Sequence, residues 1–167
     1  SIPQGIPCGG VPLGSATYEK TEAMSIAKGV EAEVDRITAA FKRSPHHLWK
    51  ATSVSSLSRF DYWLQHLAPE HTETAARLVD GAIDRAVKAC LRGTDGAEDV
   101  LVKRRLALPI RMGGGGLRSR EHMGYAAYAG SLISAVPQFA ARRARDRTER
   151  AGFFPSLGPS LRGGGYS

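Results

Sequence analysis

Cysteine is scarce. Cys8 and Cys90 are the two in 167 residues, and they form no C-x-x-C pair or other metal-type spacing. That excludes a disulfide-stapled fold and leads us to expect a reduced, intracellular protein, in the cytoplasm or nucleus. Aromatic residues are few, at 7%, so any core must be largely aliphatic. A run of about 20 apolar residues, the length of a membrane span, is missing. The uncharged stretch Gly124–Ala141 is diluted by Gly130, Ser131, Ser134, Pro137 and Gln138. It reads as a buried core helix, with no membrane partner. The chain opens on Pro- and Gly-rich sequence without a charged leader and apolar run, so no signal peptide is expected.

Familiar catalytic patterns are also lacking. G-x-S-x-G does not occur, and the histidines lack zinc-type spacing. His66 and His71, with Glu70 and Glu73 nearby, are separated by Pro69, so one helix face cannot carry both. Asp80 and Asp84 lie one turn apart, and Asp84 is spaced to pair with Lys88. A hairpin with paired aspartates, which a two-metal polymerase requires, is absent. The isolated chain is expected to be inactive as a polymerase, with no cofactor of its own.

What the chain does have is length for one domain, 42% apolar residues, and a lopsided charge. Residues 1–100 carry 11 basic and 13 acidic side chains, a net of −2. Residues 101–167 carry 12 and 3, a net of +9, and all but Lys103 of the basic ones are arginines. Arginine makes bidentate contacts to phosphate and stacks on bases, so this excess points to nucleic acid. The plainer alternative is a solvated surface.

Hydrophobic periodicity predicts an all-α bundle of four or five helices. An extended Gly/Pro-rich segment (1–16) precedes it, with an edge strand around Val11–Leu13. Residues 17–43 form an amphipathic helix with Ile26, Val30, Val34, Ile37 and Phe41 on one face. A second helical region covers 46–67, with a break possible in the serine-rich Thr52–Ser58. A third covers 71–92, with Thr72 as N-cap, and Gly93–Gly96 makes a loop. A short helix spans 97–107. After the glycines 113–116, Ser119 caps a helix that Pro137 closes. The helical domain is read as 17–137. Residues 138–167 are read as an Arg-rich, then Gly/Pro-rich tail, disordered over its last fifteen or so residues.

The glycine loop does not continue into G-K-[S/T], which argues against a nucleotide-binding loop. Its glycines can let the backbone turn closely against a neighbouring helix. Alternatively, the loop offers N–H groups to a nucleic-acid backbone while Arg111, Arg118 and Arg120 offer charge.

Three stretches look familiar in combination. Gly10-Val11-Pro12-Leu13-Gly14-Ser15 resembles the segment after the catalytic hairpin of retroelement-type reverse transcriptases, near the primer grip. Ser58-Arg59-Phe60-Asp61-Tyr62-Trp63, followed by Asp80-x-x-Ile83, is the second. The third is the most specific: Leu108-Pro109-Ile110-Arg111-Met112-Gly113-Gly114-Gly115-Gly116-Leu117-Arg118-Ser119, then Ala126-Ala127-Tyr128-Ala129-Gly130-Ser131. It is similar to an L-P-x-R-x-G-G-L-G-L-R-S segment and its following helix in the same family. Gly115 departs from that pattern, which usually has an apolar residue between glycines.

The resemblance covers about residues 9–137. It implies the end of the palm (Gly10, Val11, Pro12, Leu13 and Gly14 as a primer-grip-like segment) and a helical thumb-type region. These belong to an RNA-directed DNA polymerase whose Mg2+-binding aspartates would lie upstream. The implied partners are an RNA–DNA or DNA duplex and the upstream palm. Arg104, Arg105, Arg111, Arg118, Arg120, Arg142 and Arg143 are the candidate nucleic-acid contacts. The alternative is a stand-alone helical module that binds protein or RNA.

Overall fold

The computed structural model describes residues 4–91 and 100–153, the last eight by backbone alone. The chain divides into two units, Ser1–Gly130 and Ser131–Ser167. The first opens with a hairpin in which β1 (Gly5–Cys8) pairs antiparallel with β2 (Val11–Gly14). Gly9 and Gly10 make the turn at φ 58° and 81°. A two-residue turn with both φ values positive matches strand twist, and glycine adopts it without steric cost. Val11 and Pro12 are buried, and the Tyr62 hydroxyl donates to the Gly9 carbonyl at 3.0 Å.

Helix α1 (Ala16–Ala40) starts at Ser15, whose hydroxyl accepts from the Tyr18 N–H at 3.2 Å. Its buried line is Ala23, Ala27, Val30 and Val34. The expected stripe is therefore rotated. Val30 and Val34 belong to it, Ile26 and Ile37 are half-buried, and Phe41 is exposed just past the helix. The reason lies in the partner, α4 (Pro69–Cys90), the helix with which α1 makes its most extensive contact. It presents Ala75, Ala76, Val79, Ala82, Ile83, Ala86 and Val87. Two alanine-rich faces approach closely, and the bulkier Ile26 packs at the flank of the seam.

Pro69 begins α4, after α3 has ended at His66. Its fixed φ suits a first helical position, where a missing N–H costs nothing. Thr72 is consequently no cap. It is buried in the first turn, donating to the Pro69 carbonyl at 3.3 Å.

Between them run α2 (Pro45–Ala51) and α3 (Leu57–His66), joined by a π-helical turn at Thr52–Ser56. The serine-rich stretch thus widens the helix without breaking it. Phe60, Leu64 and Leu67 from this rod enter the core. Glu33 of α1 grips the π turn, accepting from Ser55 Oγ at 2.8 Å, Ser56 Oγ at 3.3 Å and Arg59 Nη1 at 3.0 Å. The Ser55 hydrogen bond foremost, opposed by partial burial and helped by Arg59 and Ser56, holds this carboxyl below its usual value.

A depressed folded-state pKa gives stability that is present above the unfolded value and lost as pH falls through the folded one. We expect Glu33→Gln to be less stable than wild type at neutral pH, with the gap closing below about pH 4.5, the ordinary glutamate value. Urea midpoints of both proteins between pH 7 and 3 test this; a gap constant with pH would contradict it.

Helix α5 (Val100–Ala107) leads through Pro109 and a 3-10 turn (Ile110–Met112) to the glycines, and α6 (Arg120–Phe153) comes after them. Since the π turn runs α2 into α3, the described residues form five helical rods after a short hairpin. The all-α bundle is as expected. The expected 93–96 loop, the start of the 97–107 helix and the tail beyond residue 153 lie outside the described residues.

Pro137 does not close α6, which passes through it. Strong helix formers on both sides (Ala135, Ala140, Ala141, Arg142) carry the helix over the missing hydrogen bond. Over its part in the first unit, 124–130, α6 is buried on one side only: Gly124 is buried and Ala127 packs on the core, while Tyr125 is 63% exposed. Within the first unit it is the small residues of α6, not the exposed Tyr125, that meet the bundle. Among the described residues, no helix is long and apolar enough to cross a membrane.

Candidate nucleic-acid interface

The glycine loop is built by close approach. Gly113 and Gly116 have φ of 74° and 73°. A Cβ at Gly114 would lie 2.2 Å from the Leu108 carbonyl oxygen. One at Gly115 would lie 2.4 Å from the Trp49 indole. The absent apolar side chain at Gly115 therefore has a cause here, since the Trp49 ring occupies the space.

The loop's N–H groups turn inward. Gly113 donates to the Ile110 carbonyl at 2.9 Å, Gly114 to Pro109 at 3.2 Å, Gly115 to Arg105 at 3.4 Å and Gly116 to Leu108 at 2.8 Å. Leu117 donates to Leu106 at 3.0 Å. With its donors consumed, the loop cannot cradle phosphate through its backbone. The expectation that its N–H groups meet a nucleic-acid backbone is corrected accordingly. Close backbone packing is what the glycines provide.

Two aspartates from distant helices anchor the chain just beyond the loop. Asp80 of α4 receives the start of α6, accepting from Ser119 Oγ at 2.7 Å, Arg120 N at 2.9 Å and Glu121 N at 3.2 Å. A carboxylate there satisfies otherwise orphan donors and meets the positive end of the helix dipole. Ser119 also caps as expected, its Oγ lying 3.3 Å from the His122 N–H. Asp61 of α3 takes Arg120, with Nε to Oδ1 at 3.0 Å and Nη2 to Oδ2 at 3.4 Å. The remaining Arg120 nitrogen, Nη1, donates to the Arg118 carbonyl at 2.7 Å.

Arg120 is 4% exposed and all three of its guanidinium nitrogens are engaged. Its place is inside the fold, where it pins the backbone beneath Arg118. Asp84 accepts from Lys103 at 3.1 Å. His71 Nδ1 meets Glu19 at 2.6 Å, while His66 Nδ1 faces the Tyr62 carbonyl at 2.7 Å. Among the described residues, no three His, Cys, Asp or Glu side chains gather as a metal would need.

The other predicted arginines differ from Arg120. Arg104 and Arg105 are exposed in the last turn of α5, and Arg111 and Arg118 are exposed on either side of the glycines. None of the four has an ion-pair partner among the described residues. Elsewhere in this unit Arg59, Arg77 and Arg85 are held by Glu33, by Glu73 and Glu121, and by Glu31 and Asp35. Glu121 thus serves Arg77 rather than a loop arginine, and Glu98 and Asp99, two further acids near in sequence, lie outside the described residues.

Arg111, Arg118 and Arg120 line one open groove of about 520 Å³ with Asp61, Pro109, Ile110, Gly116 and Met123. Arg142 and Arg143 are exposed on α6 in the second unit. Of the primer-grip-like residues, Val11 and Pro12 are buried and Gly10, Leu13 and Gly14 exposed. The sequence reading missed the partnership of Asp61 and Asp80 with residues 119–121, because no local spacing signals a contact across 40 or 59 positions. No protein-family model matches the chain, and no curated protein or solved structure matches it.

Proposed function

We propose that this chain is a non-catalytic, thumb-type portion of a reverse-transcriptase-like protein, and that it holds a template–primer duplex by backbone contacts. One observation carries the reading. Four exposed arginines, Arg104, Arg105, Arg111 and Arg118, flank one hydrogen-bonded loop with no carboxylate partner among the described residues, whereas Arg59, Arg77 and Arg85 are held by carboxylates. Exposed guanidinium groups on a fixed frame are what phosphate recognition needs. The pattern of contacts also supports the resemblance. Asp61 and Asp80 of its second stretch hold Ser119 and Arg120 at the end of its third.

Arg142 and Arg143 add sequence-independent affinity from the second unit. The upstream palm would supply the metal-binding aspartates.

Binding to an RNA–DNA hybrid is expected to weaken steeply with salt and to depend little on sequence. An Arg104/Arg105/Arg111/Arg118→Ala variant should keep its fold, since all four side chains are exposed. It should lower the salt slope by roughly one unit for each phosphate that it no longer binds. Fluorescence anisotropy at four or more salt concentrations measures both quantities. An unchanged affinity and slope would remove this face from the interface.

A further inference from the structure

The groove has features that a duplex backbone does not use. Ile110 at its edge is 75% exposed, and Pro109 and Met123 line it beside Arg111 and Arg118. A duplex exterior presents phosphates and sugars, which match the arginines but give an apolar wall nothing to cover. An unpaired nucleotide offers both, a charged phosphate and a flat base that sheds water on contact.

We propose that this groove holds one unpaired nucleotide of a nucleic-acid strand, with its phosphate on Arg111 and Arg118 and its base against Ile110 and Met123. The inference rests on the nucleic-acid reading above and names the part of the ligand that this groove takes.

Size and charge agree. At about 520 Å³ the groove falls within the range of small-ligand sites. Asp61 in its wall does not oppose a phosphate, because Arg120 neutralises it from within the fold. The frame is set before binding. Arg120 Nη1 fixes the Arg118 carbonyl, and the loop from Gly113 to Leu117 is hydrogen-bonded to residues 105–110. Little ordering is left for the ligand to cause. Among the described residues no aromatic ring lines the groove, so base identity should matter little, with contact made by aliphatic and thioether atoms and by arginine planes.

The full chain is titrated by anisotropy with a labelled blunt RNA–DNA hybrid, with the same hybrid carrying a two-nucleotide single-stranded overhang, and with a free nucleoside monophosphate as competitor. Wild type should bind the overhang hybrid several-fold more tightly than the blunt one, from the apolar area that one base covers on Ile110 and Met123. Ile110→Ser, an exposed substitution, should abolish that gain and leave blunt-hybrid affinity unchanged. Arg111→Ala with Arg118→Ala should weaken both ligands.

Equal binding of blunt and overhang hybrids, with both still weakened by the arginine substitutions, would overturn this inference while leaving backbone binding intact. A gain that survives Ile110→Ser would overturn it too. Competition by the free nucleotide below the overhang concentration needed for half-saturation would assign the groove to a free ligand and overturn the strand-end assignment. Indifference of both hybrids to the arginine substitutions would sink the backbone reading itself.

Discussion

Asp61→Ala should destabilise the protein by about 3–5 kcal/mol, the cost of leaving one partner of a buried ion pair alone. Arg120 is almost fully enclosed, and Asp61 is its only carboxylate partner among the described residues. Without it the guanidinium keeps the Arg118 carbonyl as its acceptor and leaves Nε and Nη2 unpaired. Asp61 itself is one-third exposed, so water can partly replace it, which places the effect towards the lower end of that range. A double variant, Asp61→Leu with Arg120→Met, removes both charges and should recover much of the loss. Urea unfolding of the wild type, Asp61→Leu, Arg120→Met and the double variant gives the coupling directly. Additive single effects would show that the pair does not act as a unit. The same substitution should loosen the Arg118 backbone, so weaker hybrid binding should accompany the reduced stability.

Val34→Asp should be at least as severe, about 4 kcal/mol or more, since it places a carboxylate where no donor waits. Val34 is fully enclosed in the seam between α1 and α4. Ile37→Asp, one turn on, should cost clearly less, because Ile37 is half-buried and an aspartate there can reach water. Thermal or urea unfolding of both variants decides this. Equal losses would mean that Ile37 is as enclosed as Val34 and that the stripe is not rotated. A tolerated Val34→Asp would mean that the two helices are not packed as described.

These two sites mark where the sequence is readable and where it is not. The helical class, the hairpin-sized extended start, the Ser119 cap and the irregularity in the serine-rich stretch all come from local chemistry: periodicity, turn residues and capping side chains. The rotation of α1 does not. Periodicity finds an apolar stripe but weights it by bulk, and a close helix pair is built on its small residues. The same error recurs on the part of α6 in the first unit, where Gly124 is buried and Ala127 packs on the core while Tyr125 is exposed. Local rules make Pro137 a stop, yet it lies within a helix, because proline forbids a hydrogen bond from its own nitrogen without deciding what its neighbours do.

For the candidate interface, the sequence by itself determined the supply of charge. It put twelve basic residues after position 100, nearly all arginine, six of them flanking a run of glycines that only a close or left-handed backbone needs. Which arginines are exposed was decided by tertiary structure alone. Arg118 and Arg120 are two residues apart and chemically identical, yet one is exposed and the other locked against Asp61. That difference comes from a carboxylate 59 positions away. The cost of burying a guanidinium is met by a partner that the fold brings in, and no local pattern records it.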